Sequence, residues 1–161
     1  MTADYDLTLD DYRALAELRY QLRRFMRFSE QEARAAGIEP QQHQMLLAIK
    51  GLPPDTTATV GELADRLQLQ HHSTVELINR MVERGLLERQ RDTTDQRRVL
   101  VKLTEQGDDL LRKLSLLHRM ELRSMAPALV TSLTELAPQT GSGWTYISPA
   151  SRPANPKRSG S

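Results

Sequence analysis

Thr59-Val60-Gly61-Glu62-Leu63-Ala64-Asp65-Arg66-Leu67 is followed, after Gln68-Leu69-Gln70, by His71-His72-Ser73-Thr74-Val75-Glu76-Leu77-Ile78-Asn79-Arg80-Met81-Val82-Glu83-Arg84-Gly85. Thr59 has the hydroxyl of a helix N-cap, and Glu62 stands three residues on, the spacing of a capping box. A short helix is therefore predicted over residues 60–67. The next begins near His71 and ends at Gly85, with Thr74, Leu77, Ile78 and Met81 spaced to face inward. Two short helices joined by about three residues form a helix-turn-helix.

Two extended runs follow, over residues 86–90 and 97–103, the second alternating through Val99, Val101 and Leu103. The polar stretch Arg91-Asp92-Thr93-Thr94-Asp95-Gln96 between them makes the pair a β-hairpin. Thr104 then caps a further helix, with Glu105 and Asp108 in its first turn. That helix is predicted to run to about Met125 and to break at Pro127, with a short helix over residues 128–137 after it.

Upstream, Leu15, Leu18, Leu22, Phe25, Met26 and Ala33 recur at helical spacing over residues 9–36, and Gly37 supplies a C-terminal stop. A second helix fits residues 40–49, with Pro40 in its first turn. Pro138 marks a change in composition: residues 138–161 are rich in Pro, Ser and Gly, hold no acidic residue, and read as disordered. The fold class expected is mostly α with a small β-hairpin wing.

The totals exclude several functions. With no cysteine among 161 residues, disulfides, thiol catalysis and Cys-ligated zinc are out. The net charge of +1 gives no argument for or against nucleic acid, because the distribution of cations matters more than their sum. There is no apolar stretch of membrane length and no secretory pattern in the first ten residues, so the cytoplasm is the expected location. Neither a phosphate loop nor an H-E-x-x-H motif is present, and the carboxylates sit at caps and on polar faces. An enzyme is not expected, nor a cofactor.

The run over residues 60–104 resembles the core of MarR-family regulators. Val60-Gly61-Glu62-Leu63-Ala64-Asp65-Arg66-Leu67, Arg84-Gly85-Leu86-Leu87-Glu88-Arg89, Asp95-Gln96-Arg97, and Val99-Leu100-Val101-Lys102-Leu103-Thr104 with Gly107 carry the resemblance. An ordered series over about 45 residues is far more specific than any one short motif. The resemblance extends to about residues 9–137. It implies a single unit over 1–137, in which residues 9–36 and 104–137 form a helical dimerisation region and 40–104 the winged DNA-binding region. It further implies a homodimer on a pseudo-palindromic double-stranded operator, repression as the usual mode, and a small-molecule effector.

A recognition helix presents polar groups to the major groove from its N-terminal half. Gln70, His71, His72, Ser73, Val75, Glu76 and Arg80 are the expected DNA-facing set. Val75 suits a thymine methyl. Glu76 either accepts from a cytosine amino group or pairs with Arg80 four residues on. His71 and His72 point about 100° apart on a helix, which disfavours joint metal chelation, and no metal site is expected. In the hairpin, Arg97 takes the wing-tip position implied by the resemblance, Asp95 shapes the wing, and Arg91 and Arg98 are expected on phosphates. Phe25, Phe28, His43, Leu46 and Leu117 are the residues expected to line an effector pocket. A winged helix that binds protein instead of DNA is the alternative reading.

Overall fold

A computed structural model describes residues 7–137. Its elements run α1 (Leu9–Ala35), α2 (Pro40–Lys50), α3 (Val60–Leu67), α4 (His71–Glu83), β1 (Leu87–Arg91), β2 (Val99–Leu103) and α5 (Glu105–Leu136). The expected class holds: five helices and one two-stranded antiparallel hairpin, a winged helix-turn-helix carried on two long helices. The tail expected to be disordered lies outside the described residues.

Local chemistry explains most boundaries. Thr8 caps α1: its Oγ1 accepts from the Asp11 amide, while the Asp11 carboxylate accepts from the Thr8 amide. The Thr8 hydroxyl also donates to that carboxylate at 2.7 Å, and this bond first, then the one from the Thr8 amide, holds the Asp11 carboxyl below the usual carboxylate range. Gly37, at φ +82°, turns the chain from α1 into α2, a conformation that suits a residue without Cβ. Thr59 caps α3 through the Glu62 amide, but the Glu62 side chain pairs with Arg66 Nε at 2.6 Å, so only half of the expected capping box forms.

The junction of wing and α5 is the tightest point of the fold. Thr104 Oγ1 accepts from the Gly107 amide at 3.1 Å and donates to the Gly85 carbonyl at 2.6 Å. The first turn of α5 is thereby tied to the end of α4. Gly107 is buried against the Leu86 carbonyl, and a Cβ there would overlap that oxygen.

The head core is aliphatic: Ile38, Met45, Leu46, Leu63, Leu77, Ile78, Met81, Leu86, Leu87 and Val101 join Leu111 and Leu114 of α5. Burying each such side chain contributes on the order of 1.5–3 kcal/mol.

Three expectations need correction. First, Pro127 does not break the last helix; α5 continues through it to Leu136. A proline inside a helix costs about 3 kcal/mol. Here Met125 and Ser132 on either side of it are buried, in the stretch where α5 lies along α1, and that packing holds the line. Second, β1 and β2 are Leu87–Arg91 and Val99–Leu103, paired Leu87 with Leu103 and Arg91 with Val99. Arg97 and Arg98 belong to the turn, because Asp95 takes both of their amides. Third, the apolar stripe of α1 does not all turn inward. Ala14, Gln21, Ser29 and Ala33 are buried, whereas Leu15, Leu22 and Met26 are exposed.

Candidate nucleic-acid interface

Helix α4 buries Thr74, Leu77, Ile78 and Met81 on one side. At 100° per residue the opposite side presents His72, Glu76 and Asn79, flanked by Val75, which is half-buried, and Arg80, which is exposed. Gln70 is the N-cap residue, exposed beside His71; Ser73 is half-buried. The expected set thus falls on or beside one face. Asn79 was missed, although its spacing of seven from His72 and three from Glu76 puts it in phase. Arg80 stands at the edge of that face and also lines a cleft with Glu30, Arg34 and Glu39. No Glu76–Arg80 ion pair forms in the structure.

The wing adjoins this face. Arg89 of β1 donates from Nη2 to Asn79 Oδ1, joining the strand to α4. At the tip, Asp95 Oδ1 accepts from the Arg97 amide at 3.0 Å and the Asp95 carbonyl accepts from the Arg98 amide at 2.9 Å, so Asp95 shapes the backbone. The Arg97 and Arg91 side chains stay exposed.

Asp92 is buried and organises the turn. Its Oδ1 accepts from the Thr94 amide at 2.9 Å and the Thr94 hydroxyl at 2.7 Å. Those bonds, the backbone one foremost, hold its carboxyl below the usual range. Arg98, expected on phosphate, also makes contacts within the protein. Its guanidinium donates to Thr57 Oγ1 at 2.8 Å and lies 3.9 Å from Asp92 Oδ2.

The family comparison coincides with this region. Residues 36–98 match the model described as MarR family. That segment, from the end of α1 to the wing turn, is similar to the MarR family.

The uncharacterized HTH-type transcriptional regulator YsmB of Bacillus subtilis is 33% identical over 67 residues, which are 42% of this chain and 46% of YsmB. The match thus spans about half the length of that relative. AbsC, a MarR family transcriptional regulator from Streptomyces coelicolor, superposes with a TM-score of 0.63 at 22% identity, over 81% of this chain and 89% of AbsC. A MepR mutant from S. aureus, solved bound to an oligodeoxyribonucleotide, gives 0.59 at 22% identity, over 82% of this chain and 100% of MepR. At such identities the likeness establishes the fold.

The residues expected to line an effector pocket are brought together in part. Phe25 and Phe28 of α1 set their rings edge-on to His118 of α5, with centroids 5.7 and 5.5 Å away. His43 of α2 lies 4.7 Å from His118, tilted by 38°. The Leu114 carbonyl can only accept, so His118 Nδ1 donates to it at 2.6 Å, and Nε2 is hydrogen-bonded with the Ser29 hydroxyl at 2.7 Å. Two of the five stand apart: Leu46 is in the head core, and Leu117 is exposed on α5. His118 and Ser29 replace them in the cluster. They were missed because 89 residues separate them. Buried His43 Nδ1 has no hydrogen-bond partner among the described residues, and burial first, then the neighbouring His118, lowers the His43 pKa to about 4. Among the described residues, no group of three or more His, Cys, Asp or Glu is placed to hold a metal ion, and no helix is long and apolar enough to cross a membrane.

Proposed function

We propose that this chain is a sequence-specific double-stranded DNA-binding transcriptional regulator of the cytoplasm, with repression as its mode. The observation that carries this reading is the contact of Arg89 with Asn79, which sets an arginine-rich wing beside the polar face of α4. His72, Ser73, Val75, Glu76 and Asn79 then read base edges in the major groove, with Gln70, His71 and Arg80 at its borders. Arg97 enters the flanking minor groove, where negative potential attracts arginine, and Arg91 rests on phosphate. The MepR mutant bound to an oligodeoxyribonucleotide lends the same fold a DNA precedent.

The unit works as a homodimer, with residues 40–104 as the DNA-binding region and 9–36 and 104–137 as the dimerisation region. Exposed apolar side chains support this: Leu15, Leu22 and Met26 on α1, and Leu116, Met120, Val130 and Leu133 on α5. Met120 is 68% exposed and Leu22 48%, and apolar groups clustered along a helix face are the mark of an interaction surface. The double substitution Leu22→Glu and Met120→Glu is expected to yield a monomer in light scattering while the far-ultraviolet helix signal persists. A dimer of unchanged mass would contradict that assignment.

A small-molecule effector acts at the cluster of Phe25, Phe28, His43 and His118, where α2 of the head meets α1 and α5. It shifts the head's position only by its differential affinity for two arrangements. A mobility shift with the promoter beside the chain's own gene tests DNA binding. Arg97→Ala is expected to weaken binding by about 1–3 kcal/mol with the dimer intact, and Arg91→Ala to reduce the salt slope by about one unit. No salt-sensitive shift by the unaltered protein would favour a protein-binding winged helix.

A further inference from the structure

The wing hairpin is held on its outer side by more than its turn. The Val101 amide of β2 donates to the Ala58 carbonyl at 3.0 Å, so residues 57–58 lie along β2 at the edge opposite β1. Ala58 is buried, and Thr59 immediately after it caps α3. This segment leads directly into the helix-turn-helix. One residue further out, Arg98 spans from the wing turn to Thr57 at 2.8 Å. The same guanidinium faces the Asp92 carboxylate, the group that organises residues 92–94. Arg98 is also bonded through its backbone: its amide donates to the Asp95 carbonyl, and its carbonyl accepts from the Asp92 amide.

We propose that Arg98 is a positioning residue that latches the wing tip to the segment entering α3, and so sets where Arg97 stands relative to the recognition helix. The proposal rests on the DNA-binding reading above. Physical reasoning favours a latch over a phosphate contact. A guanidinium hydrogen-bonded to a hydroxyl and facing a buried carboxylate at 3.9 Å has its direction fixed and part of its charge offset within the protein. A β-hairpin anchored at one edge by a single backbone bond swings easily, and two strands alone are marginal in water. The arginine adds a second anchor about as far out along the hairpin as the turn allows. Groove reading tolerates little displacement, so an unlatched wing loses affinity without losing any DNA contact of Arg98's own.

Thr57→Val separates the two roles, because it removes the latch acceptor and no charge. Binding of a selected duplex is measured by fluorescence anisotropy from low to moderate salt for the unaltered protein, Thr57→Val, Arg98→Ala, Arg98→Lys and Thr57→Val/Arg98→Ala. The expected result is binding roughly tenfold weaker in Thr57→Val and in Arg98→Ala, the scale of one hydrogen bond to a charged group. The salt slope stays that of the unaltered protein, the double variant is no weaker than Arg98→Ala alone, and Arg98→Lys restores part of the loss. Hydrogen exchange on the free protein adds a readout that needs no DNA: the Arg97 and Arg98 amides exchange faster in Thr57→Val and Arg98→Ala. Unchanged binding by Thr57→Val, together with a salt slope reduced by about one in Arg98→Ala, identifies a phosphate contact and overturns the latch. If the unaltered protein binds no duplex, the DNA reading fails, and the exchange result alone decides whether the latch exists.

Discussion

Replacing Gly107 by alanine should destabilise the protein by roughly 2–4 kcal/mol. The added Cβ would overlap the Leu86 carbonyl oxygen and press on the Leu46 side chain. The carbonyl cannot swing away freely, because it accepts from the Thr104 amide at 3.2 Å. The Thr104 hydroxyl, bonded to Gly85 and Gly107, holds the same turn from the other side. Alanine normally improves a helix by up to about 1 kcal/mol over glycine, so the clash must overcome that gain as well. Gly61 supplies the control. It too is helical, but a Cβ there meets nothing within 4 Å, and Gly61→Ala should stabilise by about 0.5 kcal/mol. Urea melts of the two variants check both signs, and equal shifts would remove the steric account of Gly107.

The second large effect is pH dependence from His43. Its pKa falls from 6.5 to about 4 in the folded state, chiefly because the ring is buried and then because His118 adjoins it. The unfolded chain therefore binds a proton between those two values that the folded chain does not. Stability from this group is fully present above pH 6.5 and drains away as pH falls toward 4, by roughly 3 kcal/mol in all. His43→Leu keeps the volume and removes the proton site. The unaltered protein should lose roughly 2–3 kcal/mol more than His43→Leu between pH 7 and pH 4 in chemical denaturation. Parallel losses would show that the ring is not held neutral by its surroundings. The consequence for regulation is local: the neutral ring lets α2 lie against α5, and Gln42 beside it accepts from Arg84 at the end of α4 at 2.9 Å.

What could be read from the sequence was whatever local chemistry decides. Thr59 and Thr104 announced helix starts through hydroxyls placed three residues before a free amide, and both do cap. Periodicity placed Thr74, Leu77, Ile78 and Met81 inside, because a helix packed on a core leaves no other face for them. Asp95 was legible as a shaper of the wing, since an Asp two residues before an amide bonds it locally.

The failures have a common cause: contacts between residues far apart in the chain. Pro127 carries a strong local signal for helix termination, yet α5 lies along α1 and runs through it. The bond of Arg98 to Thr57 had no local signal, because 41 residues separate the two. Leu22 and Met26 had the right period and the wrong destination. Period fixes a face, but whether that face meets its own chain or another copy depends on packing.

The most direct test of the account is selection of bound sites from random duplex DNA by the purified full-length protein, with recovered sequences aligned. The account predicts an enriched pseudo-palindrome whose two half-sites are centred about one helical turn, roughly 10 bp, or a multiple of it, apart. Recovery of no enriched sequence, or of a lone half-site with no two-fold partner, would contradict it.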